Sequence, residues 1–347
     1  MKIEKVKSSK INSVDFDNIN FGSVFTDHMF ECSFKNGSWV NPKIKPYQPI
    51  MMDPSARALH YGQACFEGMK AFKDDSNCTW LFRPLENYKR LVSSSKRLAM
   101  PVFPEETFIN GLMKLIDLEK NWIKTGLGNS LYIRPFIFAD QPSINANEAD
   151  QYKFMIICAP AKSYYSGEIK VKIEKSFSRA AKGGVGYAKA AGNYAAQFYP
   201  TLLAKEEGYQ QIIWTDSSKH EYIEEAGTMN LFFRFGNKLV TPPVSDSILD
   251  GITRKSLIEI AIKHNMDVEV RPIKVEEILA GSSSGDLKEI FGCGTAVVVL
   301  PIQGFGFGDK YHELPKIEYS FARKLKQKLN DIQYNLSDDP FGWRVKV

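Results

Sequence analysis

The stretch that decides the reading is Gly183-Gly184-Val185-Gly186-Tyr187-Ala188-Lys189-Ala190-Ala191-Gly192-Asn193-Tyr194, just past the middle of a chain of 347 residues. Lys189 has alanine on both sides, with Ala191 and Gly192 beyond, so no bulky neighbour keeps a flat ring away from the backbone beside its amine. A lysine in apolar, water-poor surroundings loses favour for its charged form, which frees its lone pair for attack on an aldehyde. Most lysines stay solvated, so this reading needs support from the rest of the chain.

Further along, Glu224-Glu225-Ala226-Gly227-Thr228-Met229-Asn230 runs into the apolar strand Leu231-Phe232-Phe233-Arg234-Phe235. A carboxylate beside such a strand needs a cationic partner, because a charge taken out of water alone is costly. Gly236-Asn237 then turns the chain into Lys238-Leu239-Val240, a hairpin. Asp250-Gly251-Ile252-Thr253-Arg254 precedes the helical run Ser256 to Ile262, and the free N–H groups at a helix start receive phosphate readily. Gly292-Cys293-Gly294-Thr295-Ala296 follows a strand at Glu289-Ile290-Phe291 and can bring a hydroxyl and backbone donors to the same kind of group.

Toward the N-terminus, Tyr61-Gly62-Gln63-Ala64-Cys65-Phe66-Glu67-Gly68-Met69-Lys70 offers two aromatic side chains for a pocket wall. From Pro84 a helix is expected, since proline suits a first turn and Leu85, Tyr88, Leu91 and Leu98 keep helical spacing up to Pro101. It carries Arg90, whose planar guanidinium can grip phosphate oxygens in pairs. A second amphipathic helix runs through Phe108, Leu112, Leu115, Ile116 and Ile123. Leu131 to Phe138 alternates as a strand, so Tyr132 and Arg134 share a face and can orient a carboxylate-bearing substrate. Phe154 to Cys158, Ile169 to Ile173 and Gln210 to Trp214 are further strands, and Tyr319 to Ile332 closes the chain as a helix.

Lys189-x-x-Gly192-Asn193-Tyr194 followed by Glu225-Ala226-Gly227-Thr228-Met229-Asn230 resembles the branched-chain aminotransferases, pyridoxal-phosphate enzymes of fold type IV. Further matches extend from Tyr61 to Thr295. The resemblance implies an α/β (α+β) fold with a smaller N-terminal α/β domain, a larger barrel-like C-terminal α/β domain, a cofactor between them and a homodimer. The domains are expected at 1–161 and 169–347, with a linker over the polar stretch 162–168.

The resemblance also implies the chemistry: amino-group transfer between L-leucine, L-isoleucine or L-valine and 2-oxoglutarate, with pyridoxal 5'-phosphate as cofactor. Lys189 anchors the cofactor and moves protons, Glu225 meets the ring nitrogen, and Tyr194 meets the ring hydroxyl. Arg90, the backbone at Ile252 and Thr253, and Thr295 hold the phosphate, and Thr228 joins the cofactor-binding set. Tyr61, Phe66, Tyr132, Thr295 and Ala296 line the substrate pocket, and Arg134 meets a charged end. Ile144 and Ala146 match a loop that reaches the partner subunit's pocket. One departure concerns the CxxC pair that animal members carry shortly after the threonine matching Thr295. Val297 and Leu300 stand at those positions, so redox switching through such a pair is excluded.

The totals fit. Hydrophobic residues at 44% and charged residues at 24% are those of a globular protein. The net charge of +5 is spread without a basic run, which gives nucleic-acid binding little support. The five cysteines form no CxxC pair and no zinc-type spacing, as expected for reduced thiols in a cytoplasmic protein without a metal site. No apolar run approaches a membrane span, and Met1 to Lys7 lacks the apolar core of a secretory signal. The glycine clusters lack the GxGxxG spacing of a dinucleotide site. The nearest rivals are other fold type IV enzymes, a D-amino-acid aminotransferase or an aminodeoxychorismate lyase, which share the lysine and the glutamate. From another class, the rivals are a binding protein that kept the fold without the chemistry and a nucleotide-binding module with glycine-rich loops.

Overall fold

The computed structural model describes residues 1–162 and 167–347. The chain forms two compact units, and each contains one sheet that is nine-stranded among the described residues.

The first unit holds the N-terminal stretch together with Ala188–Gly192 and Asn330–Val347. Its sheet is built around Ser130–Ala139 and Tyr152–Ala161, which pair antiparallel from Ser130 opposite Ala161 to Ala139 opposite Tyr152. His28–Lys35 extends the sheet on one side and Met69–Lys73 on the other, while Ala64–Phe66 also pairs with Ser130–Ala139. Two helices supply apolar stripes to the same core: Pro84–Arg97 through Tyr88 and Leu91, and Glu105–Glu119 through Phe108, Leu112, Leu115 and Ile116. Phe103 stacks on Phe154 with ring centroids 3.9 Å apart, and Phe30 packs edge-on to both. The second helix ends earlier than the spacing to Ile123 predicts. Lys120–Trp122 tightens into a 3-10 turn, and Ile123 is already extended.

The contiguous division expected from the sequence differs from this grouping in two places. Ala188–Gly192 returns to the first unit because its backbone pairs with Ala64–Phe66: Ala191 N–H donates to Ala64 O at 3.0 Å, and Phe66 N–H donates to Lys189 O at 3.1 Å. The chain also continues past the Phe321–Gln333 helix into Arg344–Lys346, which pairs antiparallel with Thr79–Phe82. Three residues carry no alternation to announce that strand. The linker expected over 162–168 falls at 163–166 outside the described residues.

In the second unit the sheet is mixed. Ile169–Ile173 lies parallel to both Gln211–Thr215 and Val298–Phe307, whereas Asn230–Phe235 is antiparallel to Lys238–Thr241 and to Leu287–Gly294. The hairpin forms as expected, with Phe233 opposite Val240 and Gly236 at φ +52°. Its core is aliphatic and aromatic, from Val171 and Ile213 to Phe233, Ile290 and Phe305. Among the described residues no helix is long and apolar enough to cross a membrane, and no cluster of three or more His, Cys, Asp or Glu could hold a metal ion. All five cysteines are free thiols.

Candidate active site

In the first unit the helix Pro84–Arg97 organises the site. Arg90 and Ser94 stand one turn apart on the same helix face. Buried Ser94 accepts the Lys189 backbone N–H on its Oγ at 2.9 Å, so the lysine segment is fixed by its main chain. The half-buried Lys189 places Nζ 4.9 Å from the centre of the Phe66 ring, and the Arg134 guanidinium sits 4.5 Å from that same ring. Arg134 Nη2 donates to the Tyr132 hydroxyl at 3.0 Å, as the shared strand face predicts. Lys189, Phe66, Tyr132 and Arg134 thus form one group. Tyr61 belongs to another: its exposed side chain donates from the hydroxyl to the Ile144 carbonyl, and Ala146 follows on the same exposed loop.

Arg90 is also the partner of Glu67, a fully buried carboxylate that the sequence reading quoted without a role. Its Nε and Nη2 meet the two oxygens of Glu67 at 2.7 and 2.9 Å, and Asn87 donates to the same carboxylate at 2.8 Å.

In the second unit the site forms around Glu225, which lies on the fully buried strand Ile223–Ala226 and is itself 4% exposed. The Leu249 N–H donates to its Oε2 at 3.0 Å, and Arg179 Nε is 3.0 Å from its Oε1. Asn230 lies 3.5 Å from Oε2 and donates more firmly to the Leu249 carbonyl, at 2.9 Å. Asn230 also stands opposite Cys293 in the sheet, and the Thr228 carbonyl is 3.5 Å from where a Cβ on Gly294 would lie. This brings 225–230 beside Thr295 and Ala296, both half-buried. The helix Ile252–Lys263 begins at Gly251 with no side-chain cap. A Cβ on Gly251 would lie 1.8 Å from Asn230 Oδ1, so only glycine lets this helix start so close to the strand. Ile252 and Thr253 are buried in its first turn, where backbone donors are left over by the helix. Tyr194 is half-buried in the first turn of Gly192–Glu206, which is held at Asn193 by a 2.8 Å bond to the Val185 carbonyl.

Four residues with structural claims on the site escaped the sequence reading as individuals: Glu67, Ser94, Arg179 and Asn230. Glu67 and Asn230 stand inside quoted motifs, so motif membership was the available signal. Ser94 and Arg179 act on partners far along the chain, which no local pattern reveals.

Glu224 is buried beside Glu225. Its Oε1 accepts from the Ser247 hydroxyl, and among the described residues Oε2 has no hydrogen-bond partner. Burial raises its carboxyl to about 7 from the usual 4.5, against the pull of Ser247 and Arg179. The folded chain therefore holds this proton more tightly than the unfolded chain does. The resulting stabilisation is complete below the unfolded value and is lost as pH rises through about 7. Glu224→Gln should leave stability nearly unchanged near pH 4 and raise it near pH 8, by about 2 to 3 kcal/mol. Urea unfolding at both pH values checks this, and a difference that does not vary with pH would contradict it.

The profile of the Amino-transferase class IV family matches residues 64–305. A Staphylococcus epidermidis protein named "Probable branched-chain-amino-acid aminotransferase" is 42% identical, covering 99% of each chain. "Branched-chain-amino-acid transaminase 1" of Bacillus subtilis is 41% identical, over 96% of this chain and 95% of its own. The crystal structure of the Escherichia coli branched-chain amino acid aminotransferase superposes with a TM-score of 0.75 at 26% identity, covering 92% of this chain and 98% of that one. The chain belongs to the class IV aminotransferase family and, within it, to the branched-chain-amino-acid aminotransferases.

Proposed function

We propose that the protein transfers the amino group between L-leucine, L-isoleucine or L-valine and 2-oxoglutarate, with pyridoxal 5'-phosphate as cofactor. We place it in the cytoplasm as a homodimer whose loop at Ile144 and Ala146 reaches the partner subunit's pocket. The observation that carries the activity is the full-length kinship with enzymes of that name. The donor set suits the cofactor. Glu225 is a buried carboxylate fit for a protonated ring nitrogen, and the uncapped helix start at Gly251 is fit for a phosphate.

When bound, pyridoxal phosphate supplies an aldehyde that exchanges an amino group and a ring that accepts electrons. Lys189 anchors it through Nζ and, when released, moves the proton at the substrate's α carbon. Glu225 keeps the ring nitrogen protonated, and Tyr194 donates to the ring hydroxyl. Arg90, the N–H groups of Ile252 and Thr253, and the Thr295 hydroxyl hold the phosphate, with Thr228 beside them. Phe66, Tyr132, Tyr61, Thr295 and Ala296 enclose the aliphatic side chain, and Arg134 receives the carboxylate of the glutamate-side substrate. A panel of amino donors with 2-oxoglutarate as acceptor tests the reading: the three branched L-amino acids should lead, and preference for a D-amino acid would overturn it.

The Glu67 pair sharpens the expectation for Arg90. Arg90→Ala removes a phosphate ligand and also leaves a buried carboxylate without its cation. Cofactor affinity should fall roughly tenfold to a hundredfold, the loss of one charge-assisted bond. Stability should fall by about 3 to 5 kcal/mol. Adding Glu67→Gln should recover stability and none of the affinity. Titration of the apo-variants with pyridoxal phosphate, beside urea unfolding, reads both. An unchanged dissociation constant would leave Arg90 to Glu67 alone.

A further inference from the structure

We propose that Arg179 is a positioning residue for Glu225, fixing the carboxylate in the direction from which, on the reading above, it serves the ring nitrogen. Arg179 lies between the Ile169–Ile173 strand and the glycine-rich stretch and belongs to no helix or strand. It is nevertheless buried, at 8% exposure, and a cation costs free energy there unless it is paired. Its Nε is 3.0 Å from Glu225 Oε1, and Nη2 donates to the Gly186 carbonyl at 3.0 Å and to the Ser247 carbonyl. The Nε–H itself has no hydrogen-bond acceptor of good geometry, so the contact with Glu225 is one of charge. One guanidinium therefore joins the carboxylate, the glycine-rich stretch and the turn Ser245–Ile248.

The surrounding chain is shaped for this junction. A Cβ on Gly186 would lie 2.6 Å from both Ala180 Cβ and Ser247 Cα, so the glycine is required for the stretch to lie against that turn. Tyr187 N–H bonds to the Asp246 carbonyl and Gly183 N–H to its carboxylate, each at 2.9 Å. With Arg179 at Oε1 and Leu249 N–H at Oε2, both oxygens of Glu225 are held and the carboxylate cannot rotate freely. Lysine could supply the charge but not the fork that reaches two carbonyls as well.

The test is a double-mutant cycle of Arg179→Met with Glu225→Gln, plus Arg179→Lys, in the full-length enzyme. Arg179→Met should lower kcat by about 10- to 100-fold, the range for groups that orient a liganding side chain, with KM for the amino donor little changed. In the Glu225→Gln background the same change should cost little more, because the group it positions is already neutral. Pyridoxal phosphate titration of the apo-variants should show weaker binding for Arg179→Met and partial recovery for Arg179→Lys, which also carries the test where methionine prevents folding. A full loss in Glu225→Gln with wild-type kcat and cofactor affinity in Arg179→Met, or additive losses in the cycle, would overturn the positioning role. A wild-type kcat in Glu225→Gln would instead overturn the assignment of Glu225 on which it rests.

Discussion

Lys189→Ala should abolish transamination, with turnover falling on the order of 10⁴-fold or more, because the proposed function makes one amine both anchor and proton carrier. The local structure gives the fold little to lose. Lys189 is held by its own backbone, through the N–H on Ser94 and the carbonyl on Phe66, and alanine keeps both bonds. The approach of Nζ to the Phe66 ring is worth about 0.5 to 1 kcal/mol. The variant should therefore fold with nearly wild-type stability while it loses activity. Paired measurements of kcat and urea unfolding check this. Retained turnover would remove Lys189 from the chemistry, and a collapse of stability would make its role structural.

Glu225→Gln should have the second-largest effect. A neutral amide can still accept from Leu249 N–H but cannot keep a ring nitrogen protonated, so turnover should fall roughly 10²- to 10³-fold, the size of losing one preorganised electrostatic contact. The pair with Arg179 adds a second consequence, since the guanidinium is left buried without its counter-charge. Stability should drop by about 3 kcal/mol or more. A glutamate lying free in water would cost neither. Steady-state kinetics at saturating cofactor, with unfolding measured alongside, separate the two effects, and an unchanged turnover number would show that the ring nitrogen is served by another group.

What the sequence could reveal depended on how far apart the interacting residues lie in the chain. The Pro84–Arg97 helix, the strand that aligns Tyr132 with Arg134, and the hairpin at Gly236 all follow from spacing over a few residues, and each appears close to where that spacing puts it. The same holds for the uncapped helix start at Gly251, although its cause, the amide oxygen of Asn230 in the way of any Cβ, does not show in a local pattern. Contacts between distant residues were invisible. Arg179 with Glu225, Ser94 with the Lys189 backbone and Arg90 with Glu67 are each made by groups that are neighbours only after the sheets assemble. The return of Ala188–Gly192 to the first unit is of the same kind, since five residues paired with Ala64–Phe66 have no periodicity of their own. In the sequence the glycine-rich stretch offers room for a ring. At Gly186 the structure gives the glycine a further reason, close packing against Ser247.

The central claim is that Lys189 carries the cofactor of a branched-chain transaminase, and reductive trapping tests it most directly. The purified protein is treated with borohydride in the presence of pyridoxal phosphate, digested, and its peptides are mapped by mass. A single phosphopyridoxyl label is expected on the peptide containing Lys189, prevented by Lys189→Ala. A label on a peptide containing any other lysine, or none at all, would contradict it.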